Sequence, residues 1–395
     1  MSIPMPHPPG QFVEASQDGI DYRAWVPAAL PPSIAFDASL AAALADAAIA
    51  LGELAGTGRN LANPHLLLQP FLRREAVLSS RIEGTQATIA DLYAYEAQLP
   101  LPGMAAPVEE PHVGDVREVL NYVDALNRGL DIIHDYPVSL SLIEELHLHL
   151  MSGVRGRERT PGKFRETQNI IGPAGANLST ATYVPPPPLH MRDALHELEE
   201  YIRGGDDLHR LVKLALIHYQ FEAIHPFSDG NGRVGRLLIS LLFVYWNLLP
   251  VPLLYLSAYF EQHRHEYYER LQGVTERSEW REWILFFLRG VAEQSIDAAV
   301  RAKRLQDLRQ TLQDRAFAAR APAGAVALAG RLVDQPVMTI RRAQDVLGVS
   351  YHNARRQVHR LADLGLLNHF PQPGNRELYI ASEVVDAVNT DEPAR

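Results

Sequence analysis

The chain has 395 residues, 47% of them hydrophobic, and its formal net charge is -10 at pH 7. That length and apolar content allow two or three globular domains, each with its own core. Cysteine is absent, which excludes disulfides, thiolate metal sites and cysteine nucleophiles, and the acidic balance argues against a chain-wide electrostatic grip on nucleic acid.

The first part of the chain is predicted to be helical. Residues 40–98 are rich in Ala and Leu with few helix breakers, whereas residues 100–111 are rich in proline and small residues. Helical periodicity returns over residues 115–130 and 139–151. We therefore place a domain boundary in the proline-rich loop, so that the N-terminal helical region covers residues 1–110.

A long irregular segment follows these helices. Residues 153–190 are dense in Gly, Pro, Thr and Asn, and this composition predicts a loop or a hairpin. Residues 208–224 are predicted to be helical from the spacing of Leu211, Leu214, Ala215, His218 and Phe221. This helix ends just before a glycine-rich run that opens another helix. The glycine-rich run is therefore a junction between two helices.

The junction, residues 225–236, is suited to binding a polyphosphate. Three adjacent residue types that tolerate positive φ let backbone N–H groups converge on one anion at the start of a helix: Gly230, Asn231 and Gly232. The dipole of the following helix adds positive charge at the same place. Arg233 and Arg236 are three residues apart and lie on one face of its first turns.

Two further side chains of the junction suggest a reaction. Asp229 would repel a bound phosphate unless a cation lay between them, and Mg²⁺ is the cation that favours oxygen ligands. His225 is the one group in the run that can take a proton near neutral pH, which suits it to activating an incoming hydroxyl. A glycine turn that merely caps a buried helix is the simpler interpretation, but the density of specified residue types argues against it.

The run His-Pro-Phe-Ser-Asp-Gly-Asn-Gly-Arg-Val-Gly-Arg resembles the Fic family signature at every fixed position. The resemblance implies an all-helical core in which the motif loop joins two helices. It also implies transfer of AMP from ATP to a Tyr, Thr or Ser hydroxyl of a target protein. The hydroxyl would attack the α-phosphate in line with the leaving pyrophosphate, without a covalent enzyme intermediate.

The resemblance also assigns roles within the motif. It makes His225 the base for the target hydroxyl, Asp229 the Mg²⁺ ligand and Phe227 a core residue. The phosphate contacts that it implies are Asn231, Arg233 and Arg236. For the adenine it suggests aromatic packing in the cluster Tyr259, Tyr267 and Tyr268, from which we select Tyr267, with ordinary core packing as the alternative.

Two segments before the motif resemble other elements of the family. Residues 161–165 read Pro-Gly-Lys-Phe-Arg, and residues 169–188 look like the flap hairpin that holds the target main chain beside the nucleotide. We call residues 169–188 the flap. A flap of this kind could receive the target as an added strand, and the alternative is a plain surface loop.

An apparent helix over residues 71–95 carries a second resemblance. Its run Ser-Ser-Arg-Ile-Glu-Gly resembles the inhibitory motif that accompanies many Fic domains, with Ser79 and Glu83 on one helix face. The resemblance predicts that Glu83 pairs with Arg236, which ATP would otherwise use. A solvated surface glutamate is one alternative, and a carboxylate that positions water to remove AMP is another.

A charge-free stretch raises the question of a membrane. Residues 237–260 would be long enough to cross a bilayer as one helix, but Pro250 and Pro252 break it, and residues 237–249 have the length of a core helix. The N-terminus lacks the basic start and apolar run of an export signal. We therefore predict a cytoplasmic protein that needs no membrane.

The C-terminal part is predicted to be a separate module. An amphipathic stretch over residues 292–319 ends at residues 321–324, Ala-Pro-Ala-Gly. Two helices, residues 339–347 and 351–364, flank a Gly-Val-Ser turn. Two strands with a turn at residues 371–375 would then form a wing with Arg376 near its tip.

This module resembles winged-helix DNA-binding domains. The second helix gathers a basic side: His352, Arg355, Arg356, His359 and Arg360. DNA is one predicted partner, and a winged helix that binds protein is the alternative, since the chain as a whole is acidic.

The fold class predicted overall is mainly α, with an all-helical Fic core, a β-hairpin flap and a winged helix-turn-helix domain. The segments are an N-terminal helical region, a catalytic domain, a linker helix and the winged-helix domain (residues 1–110, 111–300, 301–322 and 323–395). The predicted function is ATP- and Mg²⁺-dependent protein adenylylation, including self-modification, restrained by Glu83. The alternatives are a DNA-binding regulator that only senses nucleotide, a deadenylylating enzyme and a different nucleotide donor, and a homodimer is left open.

Two histidine pairs have a spacing that does not suit a metal site on a helix. His147 and His149 are two residues apart, as are His263 and His265. On a helix this spacing sends the side chains to different sides rather than toward one ion. We predict surface or capping roles for them.

Overall fold

A computed structural model describes residues 8–17, 19–60, 64–98, 113–154, 160–173, 175–372 and 376–389. The described chain is mainly helical, as predicted. Its N-terminal half contains β1 (Gly10–Gln17), β2 (Ile20–Pro27), α1 (Ala38–Asn60), α2 (Pro64–Ile82), α3 (Ile89–Gln98), α4 (Val113–Asp135), α5 (Leu140–Leu150) and α6 (Pro188–Arg203). The junction at residues 225–236 follows α7 (Arg210–Ile224) and continues into α8 (Asn231–Tyr245). The helices after it are α9 (Ser257–Gln262), α10 (Arg264–Arg277) and α11 (Trp280–Ala318). The C-terminal elements are α12 (Ala323–Ala329), β3 (Val337–Thr339), α13 (Ile340–Leu347), α14 (Tyr351–Asp363), β4 (Asn368–Gln372), β5 (Arg376–Ile380) and α15 (Ser382–Asn389).

The contacts divide the chain into two compact units. Unit 1 consists of Met1–Gly52 and Asn121–Ser295, and unit 2 consists of Glu53–Leu120 and Ile296–Arg395. The four consecutive segments predicted from the sequence do not coincide with these units. The reason is that each unit boundary falls inside a helix, namely α1, α4 or α11. No change in composition therefore marks the boundary.

In unit 1, α7 and α8 form the centre of the core. The side chains of α7 are almost all buried, and α8 is buried from Val234 to Phe243. Helices α7 and α8 contact each other, α6 packs against α7, and α5 packs against α8. The junction at residues 225–230 therefore starts and ends on core helices that cannot shift freely. The predicted core helix over residues 237–249 is present as the second part of α8, which ends at Tyr245.

An antiparallel hairpin precedes the helices of unit 1. Strands β1 and β2 pair along their full length, from Gly10 opposite Pro27 to Gln17 opposite Ile20. The inner side chains of β2, Tyr22, Ala24 and Trp25, are buried, and β2 contacts α6 and α7. The N-terminal region predicted to be helical therefore begins with two strands. Residue patterns did not predict this hairpin, because its stability comes from packing against helices distant in sequence.

Within the described residues, one helix is long and apolar enough by composition to cross a membrane. It is Ala38–Arg59 in α1, and 33% of the relevant window is buried. The charge-free residues 237–260 do not form one helix, because the structure divides them between α8, an irregular stretch and α9.

In unit 2, the helix predicted over residues 71–95 is interrupted. Helix α2 ends at Ile82, Gly84 adopts φ 99°, and α3 begins at Ile89. The N–H of Thr85 donates to Ser80 O at 3.2 Å and the N–H of Gly84 donates to Arg81 O at 3.0 Å. These two bonds form a Schellman motif, in which a glycine in the left-handed region ends the helix. Glu83 is consequently the C-cap residue of α2.

The C-terminal module contains the predicted helices and strands. Helices α13 and α14 begin at the N-caps Thr339 and Ser350, and Gly348 ends α13 with φ 62°. The strands form a three-stranded antiparallel sheet of order β3-β5-β4, with Gln372 opposite Arg376. Of the predicted turn, residues 373–375 lie outside the described residues.

Candidate active site

The motif loop begins with a strained residue. His225 is the C-cap of α7, with φ 47° and ψ 62°, and its N–H donates to Phe221 O at 3.0 Å. This left-handed conformation is costly for a residue other than glycine, so the surrounding structure must hold it. It ends α7 and turns the chain into the loop that carries the predicted base.

The middle of the loop is closed by Asn231. Its Oδ1 accepts the N–H of Phe227 and its Nδ2 donates to Phe227 O, both at 2.8 Å. Phe227 is fully buried, in agreement with the core position that the resemblance implied, and Asn231 is 2% exposed. Because both polar ends of this side chain are used within the loop, the part of Asn231 that can face a phosphate is its backbone N–H.

The start of α8 has the form of an anion site. Gly230 is its N-cap, with φ 77°, and no side chain caps the first turn at this residue. The positive φ of Gly230 favours glycine, and a Cβ there would lie 3.1 Å from Met151 Sδ, which would have to shift slightly. The first N–H groups of α8 and the positive end of its dipole point at the loop, where an anion can satisfy them.

Asp229 and Arg233 lie at the mouth of this site. Asp229 Oδ1 accepts the N–H of Gly230 at 2.7 Å and lies 3.8 Å from Arg233 Nη2. The Asp229 side chain is 39% exposed, whereas that of Arg233 is 6% exposed. Within the described residues, no group of three or more His, Cys, Asp or Glu could hold a metal by itself. An accessible single carboxylate fits a Mg²⁺ whose remaining ligands are nucleotide phosphates and water.

Arg236 is buried one turn further along α8. It is 3% exposed, and its charge acts on His218 of α7. Burial, together with the Arg236 charge, lowers the pKa of His218 to about 3. His218 is therefore neutral, and the positive charge in this part of the core belongs to the arginine.

Tyr267 occupies a core position rather than a surface one. Its hydroxyl lies 2.8 Å from His218 Nε2, its ring stacks on Phe260 with centroids 4.5 Å apart, and the residue is 1% exposed. The structure thus gives Tyr267 the ordinary aromatic packing that the sequence analysis held as the alternative. A ring so enclosed does not present a face to an adenine.

His147 supports the loop, although the sequence analysis predicted a surface or capping role. Its Nδ1 accepts the N–H of Gly162 at 2.9 Å, so its Nε2 carries the proton and donates to Asp229 O at 3.1 Å. Its ring stacks on Phe227 at 3.8 Å and an angle of 10°. Burial lowers the pKa of His147 to about 4. The spacing of His147 and His149 on a helix argues against a shared metal, but it does not predict contacts with a loop far along the chain.

Arg165, the last residue of Pro-Gly-Lys-Phe-Arg, joins the motif loop to the flap. Its backbone N–H donates to Pro226 O at 2.9 Å and its Nε donates to His225 O at 3.0 Å, while Nη2 donates to Pro186 O in the flap. The residue is 1% exposed, and burial lowers its pKa to about 10, so it stays charged. A cation beside the carbonyl end of α7 interacts favourably with the helix dipole.

The flap contains the hairpin pairing that the sequence analysis predicted. Ile171 and Tyr183 form an antiparallel bridge with two hydrogen bonds of 2.9 Å. The Tyr183 hydroxyl donates to Ala223 O at 2.7 Å, and Asn169 Nδ2 donates to Phe227 O at 2.9 Å. Ala174 lies outside the described residues. The flap is thus bonded to the end of α7 and to the motif loop.

The structure brings most of the predicted site together in one loop and the first turns of α8. These residues are His225, Asp229, Gly230, Asn231, Gly232, Arg233 and Arg236. Ser79 and Glu83 belong to unit 2, where Ser79 is fully buried in α2 and Glu83 caps that helix.

Comparisons with known proteins agree with the motif. Residues 137–243 match the Fic/DOC family and residues 41–131 match the Fic/DOC family N-terminal region. The protein adenylyltransferase Fic of Nematostella vectensis is 29% identical over 56% of this chain and 47% of its own length. A probable protein adenylyltransferase of Aquifex aeolicus (strain VF5) is 29% identical over 47% of this chain and 53% of its own length. The chain thus spans about half the length of these curated relatives.

Among solved structures, a Fic family protein from Desulfovibrio desulfuricans G20 has a similar fold. Its TM-score is 0.52 at 19% identity, and the superposition covers 93% of this chain and 100% of that chain. At this identity the likeness concerns the fold alone.

Proposed function

The chain belongs to the Fic/DOC family, and from that premise we propose that it transfers AMP from ATP to a hydroxyl of a target protein. The observation that carries the proposal is the arrangement of the motif. A glycine-capped helix start, a buried arginine pair and a single accessible carboxylate surround the loop that begins with His225. These groups suit the phosphates of a nucleotide rather than a purely structural turn.

In the proposed reaction, His225 takes the proton of a Tyr, Thr or Ser hydroxyl. The hydroxyl oxygen forms a bond to the α-phosphorus of ATP, the bond to the bridging oxygen breaks, and pyrophosphate leaves. Arg233, Arg236 and the first N–H groups of α8 hold the phosphates and stabilise the charge that develops on them. Mg²⁺ held by Asp229 would supply further charge neutralisation when bound.

The flap has a proposed part in receiving the target. A target segment that pairs with the flap as an added strand would be recognised through its main chain, with little demand on its sequence. Its hydroxyl would then lie beside the motif loop, to which Asn169 and Arg165 bond the flap.

Regulation by Glu83 is a further part of the proposal. As the C-cap of α2, Glu83 stands at the point where the Schellman motif ends the helix, and Gly84 is required there by its positive φ. A carboxylate from this position that paired with Arg236 would compete with ATP for its charge. The same carboxylate could instead position water for removal of AMP, and the direction of net reaction is what distinguishes the two roles.

Intact-mass analysis tests this function. The wild type, Glu83→Gly and His225→Ala are incubated with ATP and Mg²⁺, and in parallel with other nucleotides. We expect an increase by one AMP that is larger in Glu83→Gly and absent in His225→Ala. A mass increase from another nucleotide would assign a different donor. ATP binding without any mass change in all three proteins, or in an added acceptor protein, would reject transfer.

A DNA-binding regulator is the second candidate, favoured by the helix order and three-stranded sheet of the C-terminal module, which suit a winged helix. His352, Arg355 and Arg356 on α14 are exposed. However, Arg355 lies 3.6 Å from Glu377 of the neighbouring strand, so part of this basic face is offset by an internal acid. Binding of duplex DNA that weakens with salt and is lost in Arg356→Ala, with no AMP transfer, would favour this function.

A further inference from the structure

A backbone hydrogen bond joins the two-stranded hairpin β1–β2 to the flap, edge to edge. In an extended segment, successive peptide groups point to opposite edges. Tyr183 uses its N–H and C=O to pair with Ile171, and the next carbonyl, that of Val184, accepts the N–H of Trp25 at 2.8 Å. The extended segments therefore lie in the order β1, β2, the returning arm of the flap and the outgoing arm of the flap.

Side chains join the base of the flap to the same hairpin. Gln168 Nε2 donates to Asn169 O at 3.0 Å and to Pro185 O at 2.8 Å, which ties the two arms together at their base. Gln168 Oε1 accepts from the Tyr22 hydroxyl at 3.2 Å, and its backbone N–H donates to Gln17 Oε1 at 3.2 Å. Both strands of the hairpin thus contribute to fixing one residue at the base of the flap.

We propose that this hairpin, which precedes the residues matched to the family, is a positioning element that holds the flap in its strand-like form for the target polypeptide. Among its described residues the flap has a single bridge, and two strands alone are marginally stable in water. If the flap binds its target only when extended, the apparent affinity is the intrinsic affinity multiplied by the fraction of flap that is extended. The hairpin raises that fraction.

The proposal concerns polypeptide binding and leaves the nucleotide site unchanged. The phosphate-binding groups lie on α8, whereas Tyr22 and Gln17 contact Gln168. Loss of the hairpin contacts should therefore raise the KM for a polypeptide acceptor and leave ATP affinity unaltered. This part rests on the proposed adenylyltransferase function, whereas the ordering of the flap does not.

Hydrogen–deuterium exchange provides a test that is independent of activity. In the Tyr22→Phe/Gln17→Ala variant of the 395-residue chain, the amides of Ile171 and Tyr183 should exchange roughly five- to a hundredfold faster, which corresponds to the loss of the two hydrogen bonds to Gln168. The matched control is Arg23→Gln, which removes the exposed pair with Glu14 on the same hairpin. It should leave the flap amides unchanged.

Two outcomes of the exchange experiment would overturn the proposal. One is unchanged exchange at Ile171 and Tyr183 in the double variant. The other is an equal increase in the amides of α8, because the hairpin contacts would then contribute only to the general stability of unit 1. Parallel rates of AMP transfer to a pool of tyrosine-, threonine- and serine-containing peptides, in a Glu83→Gly background, give the KM. If the parent protein transfers no AMP, the proposed function fails while the exchange result still decides the role of the hairpin.

Discussion

The side chain of Asn231 binds the backbone of Phe227 in both directions, with the Phe227 N–H and C=O each 2.8 Å from an Asn231 amide atom. Asn231 is the first residue of α8, and Phe227 lies four residues earlier in the loop. The contact therefore fixes the curvature of the loop that carries His225 and Asp229.

Asn231→Ala should destabilise the protein. The substitution leaves the N–H of Phe227 buried without its acceptor, and such losses cost about 1–3 kcal/mol. Urea unfolding measures the change, with Ser228→Ala in the same loop as the control. Equal midpoints for Asn231→Ala and the wild type would show that the loop does not depend on this contact.

His225→Ala should abolish AMP transfer without unfolding the protein. Loss of a general base typically lowers the rate by roughly 10²–10⁴-fold. ATP affinity should stay close to that of the wild type because the groups proposed to bind the phosphates are on α8. The measurement pairs labelled-AMP incorporation with calorimetric ATP binding. His134→Ala, at a histidine that is 85% exposed, is the control. Normal transfer by His225→Ala would assign the base to another residue.

Asp229→Asn tests the predicted magnesium ligand. An amide oxygen can still accept the N–H of Gly230, so the loop should keep its form while the negative charge is lost. We expect AMP transfer to fall and the Mg²⁺ concentration for half-maximal rate to rise. ATP binding measured with excess chelator should be the same in the variant and the wild type. An unchanged Mg²⁺ dependence would place the ion elsewhere.

Glu83→Gly should increase AMP incorporation or self-modification. If the Glu83 carboxylate competes with ATP for Arg236, its removal should raise the rate on the order of tenfold. Gln86→Gly removes a polar side chain from the same connection between α2 and α3 and serves as the control. Equal AMP incorporation by the wild type and Glu83→Gly would contradict the hypothesis that Glu83 inhibits the enzyme.

His147 should make stability depend on pH. Its pKa falls from 6.5 when unfolded to about 4 in the fold because burial disfavours the charged ring. Between these values the unfolded chain binds more protons, so the contribution of His147 is complete above about pH 6.5 and is lost as pH falls toward 4. The loss amounts to at most about 3 kcal/mol.

His147→Gln isolates this contribution. Glutamine can keep a donor near Asp229 O but does not titrate. The free energy of unfolding, measured from pH 7 to pH 4, should fall less steeply in the variant than in the wild type. Parallel curves would mean that His147 is protonated to the same extent in the folded and unfolded protein.

Local patterns predicted much of the fold. The helical character, the junction between α7 and α8 and the two helices around Gly348 all follow from residue spacing and helix-ending residues. The hairpin of residues 10–27 was missed because its strands are stabilised by α6 and α7, far along the chain. The break after α2 was also missed, although Gly84 carried the signal for it.

The sequence alone predicted the chemistry of the motif and determined where its groups lie, since His225, Asp229, the glycines and the arginines all fall within residues 225–236, at the start of one helix. Beyond the local contact between Asn231 and Phe227, tertiary structure decided which distant side chains hold that loop in place. His147, Arg165 and Asn169 each bond to a loop carbonyl from at least fifty residues away. Such contacts depend on how helices pack, and no local periodicity encodes them. Burial likewise placed Tyr267 in the core, where the resemblance to the family had suggested packing around the adenine.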